Sequence, residues 1–365
     1  MIIGIVGLPK SGKTTLFNAI TGANARTAAF AASEDSTNVA VVKVPDPRID
    51  KLYTYFKDPK KVFVELKFMD FAPFKKGMGE KGFPAKHLGD LRACDALLLV
   101  VRAFESEAVP HPEDSVDPAR DLQSLLLELA FADLEVIERR LERIDYARAR
   151  GAKEERAANE KEKIILLRLK EELENGSRLD REKLNSEEAT FVRNYGFLTG
   201  MPLICALNIH ENDIGGGTGE KVKAGLQGAD AELAVIEIPG QIEMDIAQME
   251  EADRHTFMKE LGIEEPGRDR VLRFAWTELG LMVFFTVGDD EVRAWPVKRG
   301  ATALEAASKI HSDIARGFIR AEVVPYDCFI EHGSMAAVKT AGLFRLEGKE
   351  YVVNDGEIIH FRFNV

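Results

Sequence analysis

Residues 2–21 read IIGIVGLPKSGKTTLFNAIT. Ile2–Val6 is a β-branched run that suits a strand, and Thr14–Ile20 places apolar residues at helical spacing. Between them, Gly7-Leu8-Pro9-Lys10-Ser11-Gly12-Lys13-Thr14 fits G-x-x-x-x-G-K-[ST]. Strand, glycine turn and helix occur in the order a polyphosphate cradle needs. The glycines let successive backbone N–H groups surround a β-phosphate, and the helix N-terminus adds partial positive charge. Lys13 is expected to reach the β/γ-phosphates and Thr14 to ligate Mg²⁺. Lys10, Ser11, Gly12, Lys13, Thr14 and Thr15 are thus the candidate phosphate-binding residues.

Outward from this loop, strands are expected at Val39–Val44, Val62–Asp70, Ala96–Val101, Pro202–Leu207 and Val235–Ile238. The runs ALLLVV and PLICAL are continuously apolar, as parallel strands buried on both faces should be. Alternation with helices indicates a doubly wound, mostly parallel α/β sheet. Ala72–His87 lacks periodicity and reads as a loop. Asp117-Pro118 starts a helix, and leucines and isoleucines from Leu122 to Ile144 continue at helical spacing. A second charged helix over about 154–175 completes an inserted α-helical hairpin. From Gly280 the order is two strands, a helix over 303–314, then strands at 321–325, 343–346, 351–353 and 358–363, a small α+β module. The expected domains are 1–116 with 196–265 for nucleotide binding, 117–195 for the hairpin and 280–363 for the C-terminal module.

The chain's 365 residues are 45% hydrophobic and 30% charged, which supplies ample apolar area for folded cores. Cys94, Cys205 and Cys328 are too scattered for a disulfide framework or zinc cluster and read as free thiols of a reducing compartment. No apolar run reaches the ~18–20 residues of a membrane span, and the first strand lacks a signal peptide's basic start and cleavage site. The expected location is the cytoplasm. A net charge of −12 argues against binding nucleic acid through bulk charge and leaves local basic patches to be weighed.

Two further stations of a GTPase-like site follow. Asp70, at a strand end, suits the acidic residue that holds Mg²⁺ through water. Asn208-Ile209-His210-Glu211 follows a buried strand, where this class reads the base. Guanine-specific members use Asn-Lys-x-Asp; here Ile209 replaces the lysine and Glu211 the aspartate, so guanine selectivity should be weak and adenine can fit.

These residues resemble the YchF/Obg-like ATPase family over nearly the whole chain. The resemblance is carried by GLPKSGKTTLFNAIT, VPDPRIDKL, ACDALLLVVRAF and the VDPARDLQSLLLELAFADLEVIERRLERI helix. It continues in FFTVGDDEVRAWPVKRGATALEAASKIHSDIARGFIRAEV and GKEYVVNDGEIIHFRFNV. It implies an Obg-type nucleotide-binding domain with the hairpin inserted and a C-terminal TGS domain of ubiquitin-like β-grasp fold. It also implies ATP preferred over or alongside GTP, slow hydrolysis and association with ribosomes.

The departures are specific. The family's Asn in G-L-P-N-x-G-K is Lys10 here, whose ammonium could supply the charge that a monovalent cation supplies beside the phosphates in related enzymes; pointing into solvent is the alternative. The first switch, Thr27–Asn38, is longer than the family's and lacks the expected threonine in register, leaving Ser33 and Thr37 as unassigned Mg²⁺ candidates. In the second switch, Asp70-Phe71-Ala72-Pro73-Phe74, Pro73 replaces a glycine whose N–H would bond the γ-phosphate. Losing one such bond forfeits ~1.5–3 kcal/mol of preference for triphosphate. Phe74 stands where Ras-like enzymes keep a water-positioning glutamine. His111, in register with a family histidine, is the candidate for ordering the attacking water or acting as base. Turnover is expected close to the about 10⁻⁴ s⁻¹ of unassisted Ras.

Lys75, Lys76, Lys81 and Lys86 flank the site, and Arg293, Trp295, Lys298 and Arg299 form a basic–aromatic group suited to RNA, with Trp295 alternatively a core residue. The family resemblance, more than either patch, selects the ribosome or its RNA as partner, without DNA or membrane, and a monomer. Two function classes fit: a cycling ATPase/GTPase, and a non-cycling nucleotide-binding regulatory module with degenerate switches. A small-molecule kinase fits less well, because Asn208–Glu211 and the C-terminal module have no place in it.

Overall fold

A computed structural model describes residues 1–23, 37–75, 77–78, 84–148, 153–176 and 178–364. Ser33, most of the first switch, Lys76 and Lys81 lie outside the described residues. The chain divides into two compact units, Met1–Val41 with Lys67–Ala275, and Val42–Leu66 with Trp276–Val365.

The larger unit is built on a six-stranded sheet. The strands are β1 (Ile2–Gly7), β2 (Asn38–Val44), β4 (Val64–Asp70), β5 (Ala96–Ala103), β6 (Leu203–Ile209) and β7 (Ala234–Ile238), in the order β2-β4-β1-β5-β6-β7. The pairs β1–β4, β1–β5, β5–β6 and β6–β7 are parallel. Strand β6 is buried throughout and β5 in all but its last residue, as expected for parallel strands covered on both faces. Leu97, Leu99, Cys205 and Leu207 meet Leu122, Leu125, Leu126 and Leu129 of the helix Pro118–Arg148 in one apolar core. That helix and Lys153–Asn175 form the hairpin, zipped by Ile137, Ile144, Leu166, Leu169 and Leu173.

The hairpin's base is tied to the turn that precedes β6 by Asp133, which has no exposed surface. It accepts the N–H of Leu198 at 2.9 Å, the N–H of Thr199 at 2.8 Å and the Thr199 hydroxyl at 2.7 Å. Burial pushes this carboxyl up to about 6, opposed by those three donors.

In the smaller unit, β8 (Leu281–Val287), β9 (Glu291–Lys298), β10 (Phe318–Val324), β11 (Arg345–Glu347), β12 (Ile358–Phe363) and β3 (Lys60–Val62) form a sheet ordered β11-β10-β12-β8-β9-β3. The first and last strands of the module, β8 and β12, lie side by side and parallel, while β8–β9 and β10–β12 are antiparallel. With a helix over Ala303–Ile310, this is the β-grasp arrangement.

Three local expectations change. The helix predicted over 303–314 breaks at His311, and Ser312–Arg316 forms a separate turn of helix. Residues 351–353 form no strand: Val352 makes a single bridge to Thr302, while the Tyr351 hydroxyl and the Asn354 N–H are drawn to buried Glu357. Pro45-Asp46-Pro47, read from sequence only as the end of the Val39–Val44 strand, also starts a helix over Pro47–Tyr53, which Asp46 caps by accepting the Arg48 N–H at 2.9 Å. Ile49, Leu52 and Val64 pack with Val283, Phe285 and Phe329, and β3 pairs in parallel with β9. Residues 42–66, assigned on sequence grounds to the nucleotide-binding domain, therefore pack with the C-terminal module.

Candidate functional site

Gly7 ends β1 and the helix Lys13–Thr21 begins six residues later. Gly12 makes the reversal, with φ of 83°, a region costly to any residue with a Cβ. A Cβ there would also lie 2.0 Å from Asn208 Nδ2. Ser11 N–H bonds back to Leu8 carbonyl at 3.3 Å, and Leu16 N–H to Gly12 carbonyl at 2.9 Å, which closes the first helical turn. The result is a strand–loop–helix cradle of the kind the sequence predicts, with Thr14 and Thr15 in the helix's first turn.

Lys13 is 8% exposed and Asp70 3%, and the Lys13 ammonium is ion-paired with an Asp70 oxygen. The other Asp70 oxygen accepts the Thr14 hydroxyl at 3.0 Å and Asn38 Nδ2 at 3.3 Å. The fold brings together Lys13, Thr14 and Asp70, residues 56 and 57 positions apart. Asn38, which sequence reasoning passed over, joins them from β2. A hydroxyl beside a carboxylate is a hard-oxygen donor set suited to Mg²⁺ completed by phosphate oxygens and water. No group of three or more His, Cys, Asp or Glu side chains among the described residues is placed to hold a metal alone.

Asn208, 4% exposed, forms the second side of the site. Its Nδ2 donates to the Ser11 carbonyl at 3.0 Å, and its Oδ1 accepts the Gly240 N–H at 3.1 Å. One amide thus links the phosphate loop, the end of β6 and the turn after β7. Gly240 leaves the required space, since a Cβ there would come within 2.7 Å of Asn208 Oδ1. Pro239-Gly240 after a strand was the available sequence signal. The other base-reading candidates differ from expectation. Glu211 is exposed at the start of a short 3₁₀ turn, whereas Ile209, 4% exposed, belongs to the apolar core and does not present itself to a ligand.

Lys10 has φ of 64°, and its ammonium donates to the Pro110 carbonyl at 3.2 Å rather than reaching into the phosphate cradle. His111 departs further from an exposed loop histidine. Its side chain is 6% exposed, Nε2 meets Asp121 Oδ2 at 2.8 Å, and Nδ1 accepts the Glu113 N–H at 3.1 Å. Because Nδ1 accepts, the proton lies on Nε2 in the neutral ring. Both nitrogens are occupied, so in this conformation His111 cannot act as base. Asp121, one turn into the hairpin helix, is a partner the sequence reading missed.

In the second switch, Phe74 has no exposed surface, and its N–H bonds to the Gly7 carbonyl at 2.9 Å. That N–H cannot stand in for the one lost at Pro73. His87 lies edge-on to Phe71, with ring centroids 5.6 Å apart, and against Phe74 at 5.9 Å; burial lowers its pKa. In the C-terminal unit, Trp295 is not an open stacking platform. Arg293 lies 4.1 Å over its ring, Phe284 stacks on it at 6.4 Å, and Trp295 Nε1 donates to Thr286.

The comparisons with known proteins cover the same ground. The family described as a 50S ribosome-binding GTPase matches residues 2–138, and YchF-GTPase_C, described as a protein of unknown function (DUF933), matches residues 281–364. The "Ribosome-binding ATPase YchF" of Bacillus subtilis is 41% identical over 367 residues, covering 99% of both chains. "Obg-like ATPase 1" of Caenorhabditis elegans is 35% identical, covering 99% of this chain and 92% of its own. The YchF GTPase structure of Schizosaccharomyces pombe superposes with a TM-score of 0.80 at 28% identity, covering 99% and 97% of the two chains. Likeness of this depth along the whole sequence, on the same fold, means that the chain belongs to the YchF/Obg-like ATPase family.

Proposed function

We propose that the chain is a ribosome-associated nucleotide-binding protein that binds ATP or GTP with Mg²⁺ in the 7–14 loop and hydrolyses it slowly. The observation that carries this reading is the convergence of Lys13, Thr14 and Asp70 beneath the left-handed turn at Gly12. Loop N–H groups and Lys13 would bind the phosphates, and Thr14 and Asp70 would hold Mg²⁺, which would supply charge neutralisation for the phosphate oxygens. Asn208 keeps the loop in register with the base-binding edge. Exposed Glu211 supplies no short aspartate for guanine, which favours adenine or mixed use. Water positioning falls to His111 once it leaves Asp121. The name of the Bacillus subtilis relative and the description of the family matched over residues 2–138 support the ribosome as partner, and the β-grasp module is the candidate contact. Multiple-turnover phosphate release from ATP and GTP, with and without ribosomes, tests the reading; zero release under both conditions refutes it.

One observation favours a second reading, a non-cycling nucleotide-binding module. Pro73 has no N–H and the Phe74 N–H is committed to Gly7, so the second switch offers the γ-phosphate no backbone donor at either position. In that case nucleotide binds without turnover.

A further inference from the structure

At the end of β5, Arg102 is 2% exposed. A guanidinium carries its charge at any ordinary pH and has five N–H donors to satisfy. Its Nε donates to the Phe104 carbonyl at 2.9 Å, and its carbon lies 4.4 Å over the Phe104 ring. Nη1 and Nη2, however, are closed to solvent and have no acceptor. Ser11 Oγ, in the phosphate loop, is also buried without a partner. Arg102, Ser11, His111 and Asp121 line one hollow that has no room for a water molecule. A buried cation with unmade hydrogen bonds is a strained arrangement that persists only if another state relieves it or the surroundings enforce it.

The carboxylate in that hollow is fully engaged. Asp121 Oδ2 is held by His111 at 2.8 Å, and Oδ1 by Arg120 Nε at 3.0 Å. The negative charge of Asp121 is nevertheless felt at Arg102, where it opposes the lowering of the pKa by burial. If His111 departs, Oδ2 loses its donor in the hollow that the unsatisfied Nη groups of Arg102 also line.

We infer that Asp121 is an acceptor exchanged between two donors, with His111 holding it in the parked state seen here and Arg102 taking it over when the 104–117 loop carries His111 to the nucleotide. Arg102 is then a positioning residue. The bond lost at His111 is replaced at Arg102, so release of the histidine does not strand a buried carboxylate. This rests on the proposed role of His111 in hydrolysis, and the test separates the two.

Arg102→Met, His111→Ala and the double variant are compared in the full chain, by steady-state hydrolysis of Mg·ATP and by amide hydrogen exchange of residues 104–117. Arg102→Met lowers kcat about tenfold, the size of one charge-assisted hydrogen bond, with KM unchanged. Added to His111→Ala it lowers kcat no further. Exchange around His111, at residues 109–117 beyond the Phe104 carbonyl that Arg102 itself holds, becomes slower in Arg102→Met, because the parked state loses its competitor; loss of a merely structural arginine would make it faster. Arg102→Lys, which keeps a cation, restores part of the rate. If Arg102→Met is poorly folded, Asp121→Asn serves instead: it speeds exchange of the loop, and Arg102→Lys then has no effect in its background. Equal loss of rate from Arg102→Met with and without His111, or faster loop exchange, overturns the exchange. A normal kcat for His111→Ala, with slower loop exchange in Arg102→Met, instead refutes the catalytic role of His111 and leaves the exchange standing.

Discussion

Replacing Asn208 with alanine tests how much of the phosphate loop is held from outside itself. The side chain bridges the Ser11 carbonyl and the Gly240 N–H, at 3.0 and 3.1 Å, from a position 4% exposed. Truncation removes two bonds worth about 1 kcal/mol each and leaves a buried acceptor and a buried donor unpaired. Each orphan costs about 1–3 kcal/mol, so the expected total lies near 2–4 kcal/mol after partial relaxation. Both tryptophans, Trp276 and Trp295, belong to the C-terminal unit, so their fluorescence does not directly report on the larger unit. Circular dichroism at 222 nm does, because the long helices Pro118–Arg148 and Lys153–Asn175 lie in the larger unit. The urea midpoint of that signal should fall. Affinity for ATP and ADP should fall together, about tenfold or more, since both use the loop that Ser11 shapes. An unchanged dichroism midpoint with unchanged affinity for both nucleotides would refute the bridging role.

Other outcomes follow from the same geometry. Burial pushes Glu243 up to about 7, where it accepts the Gly267 N–H at 2.7 Å. The folded carboxyl therefore binds its proton more tightly than the unfolded one, and its contribution to stability declines as pH rises from about 4.5 towards 7. Glu243→Gln keeps the acceptor and removes that decline, so its melting temperature should gain on wild type between pH 5 and pH 8; a constant difference would contradict this. Asp70→Asn leaves Lys13 a buried, unpaired cation and should cost about 3–5 kcal/mol without nucleotide. In EDTA the same variant should bind ATP more tightly than wild type by calorimetry, because the competing carboxylate is gone; equal affinity would count against Asp70 competing with phosphate for Lys13. With Pro73 in the second switch and the Phe74 N–H committed, ATP and ADP should bind wild type with affinities within about tenfold of each other, and a preference for ATP well above that would contradict the account.

The phosphate loop was legible because its function constrains spacing: two glycines, a lysine and a hydroxyl between a strand and a helix leave few alternatives. Strands β5 and β6 were legible for another reason, since burial on both faces writes an uninterrupted apolar run. What escaped was set by tertiary partners. Nothing in the local sequence around His111 indicates that Asp121, ten residues on, will occupy one ring nitrogen while the Glu113 N–H takes the other. Ile209 aligns with a ligand-reading position, yet strand alternation turns it into the core. The helix after Pro45-Asp46-Pro47 was readable from its cap, but its choice of the C-terminal core depends on Val283, Phe285 and Phe329, more than two hundred residues away in the chain. The β-grasp order was visible only through likeness to a family, because a parallel pairing between the first and last strands of a module leaves no local mark.

The most direct test of the central claim is calorimetric titration of Mg·ATP into wild type and Lys13→Ala, with folding of both checked by circular dichroism. A saturable single site in wild type, weakened at least about a hundredfold in a folded Lys13→Ala, is the predicted result, since a charge-assisted contact to phosphate carries some 1.5–3 kcal/mol and Lys13 is proposed to reach both the β- and γ-phosphates. Equal affinity in the two proteins would mean that nucleotide, if bound at all, is bound elsewhere.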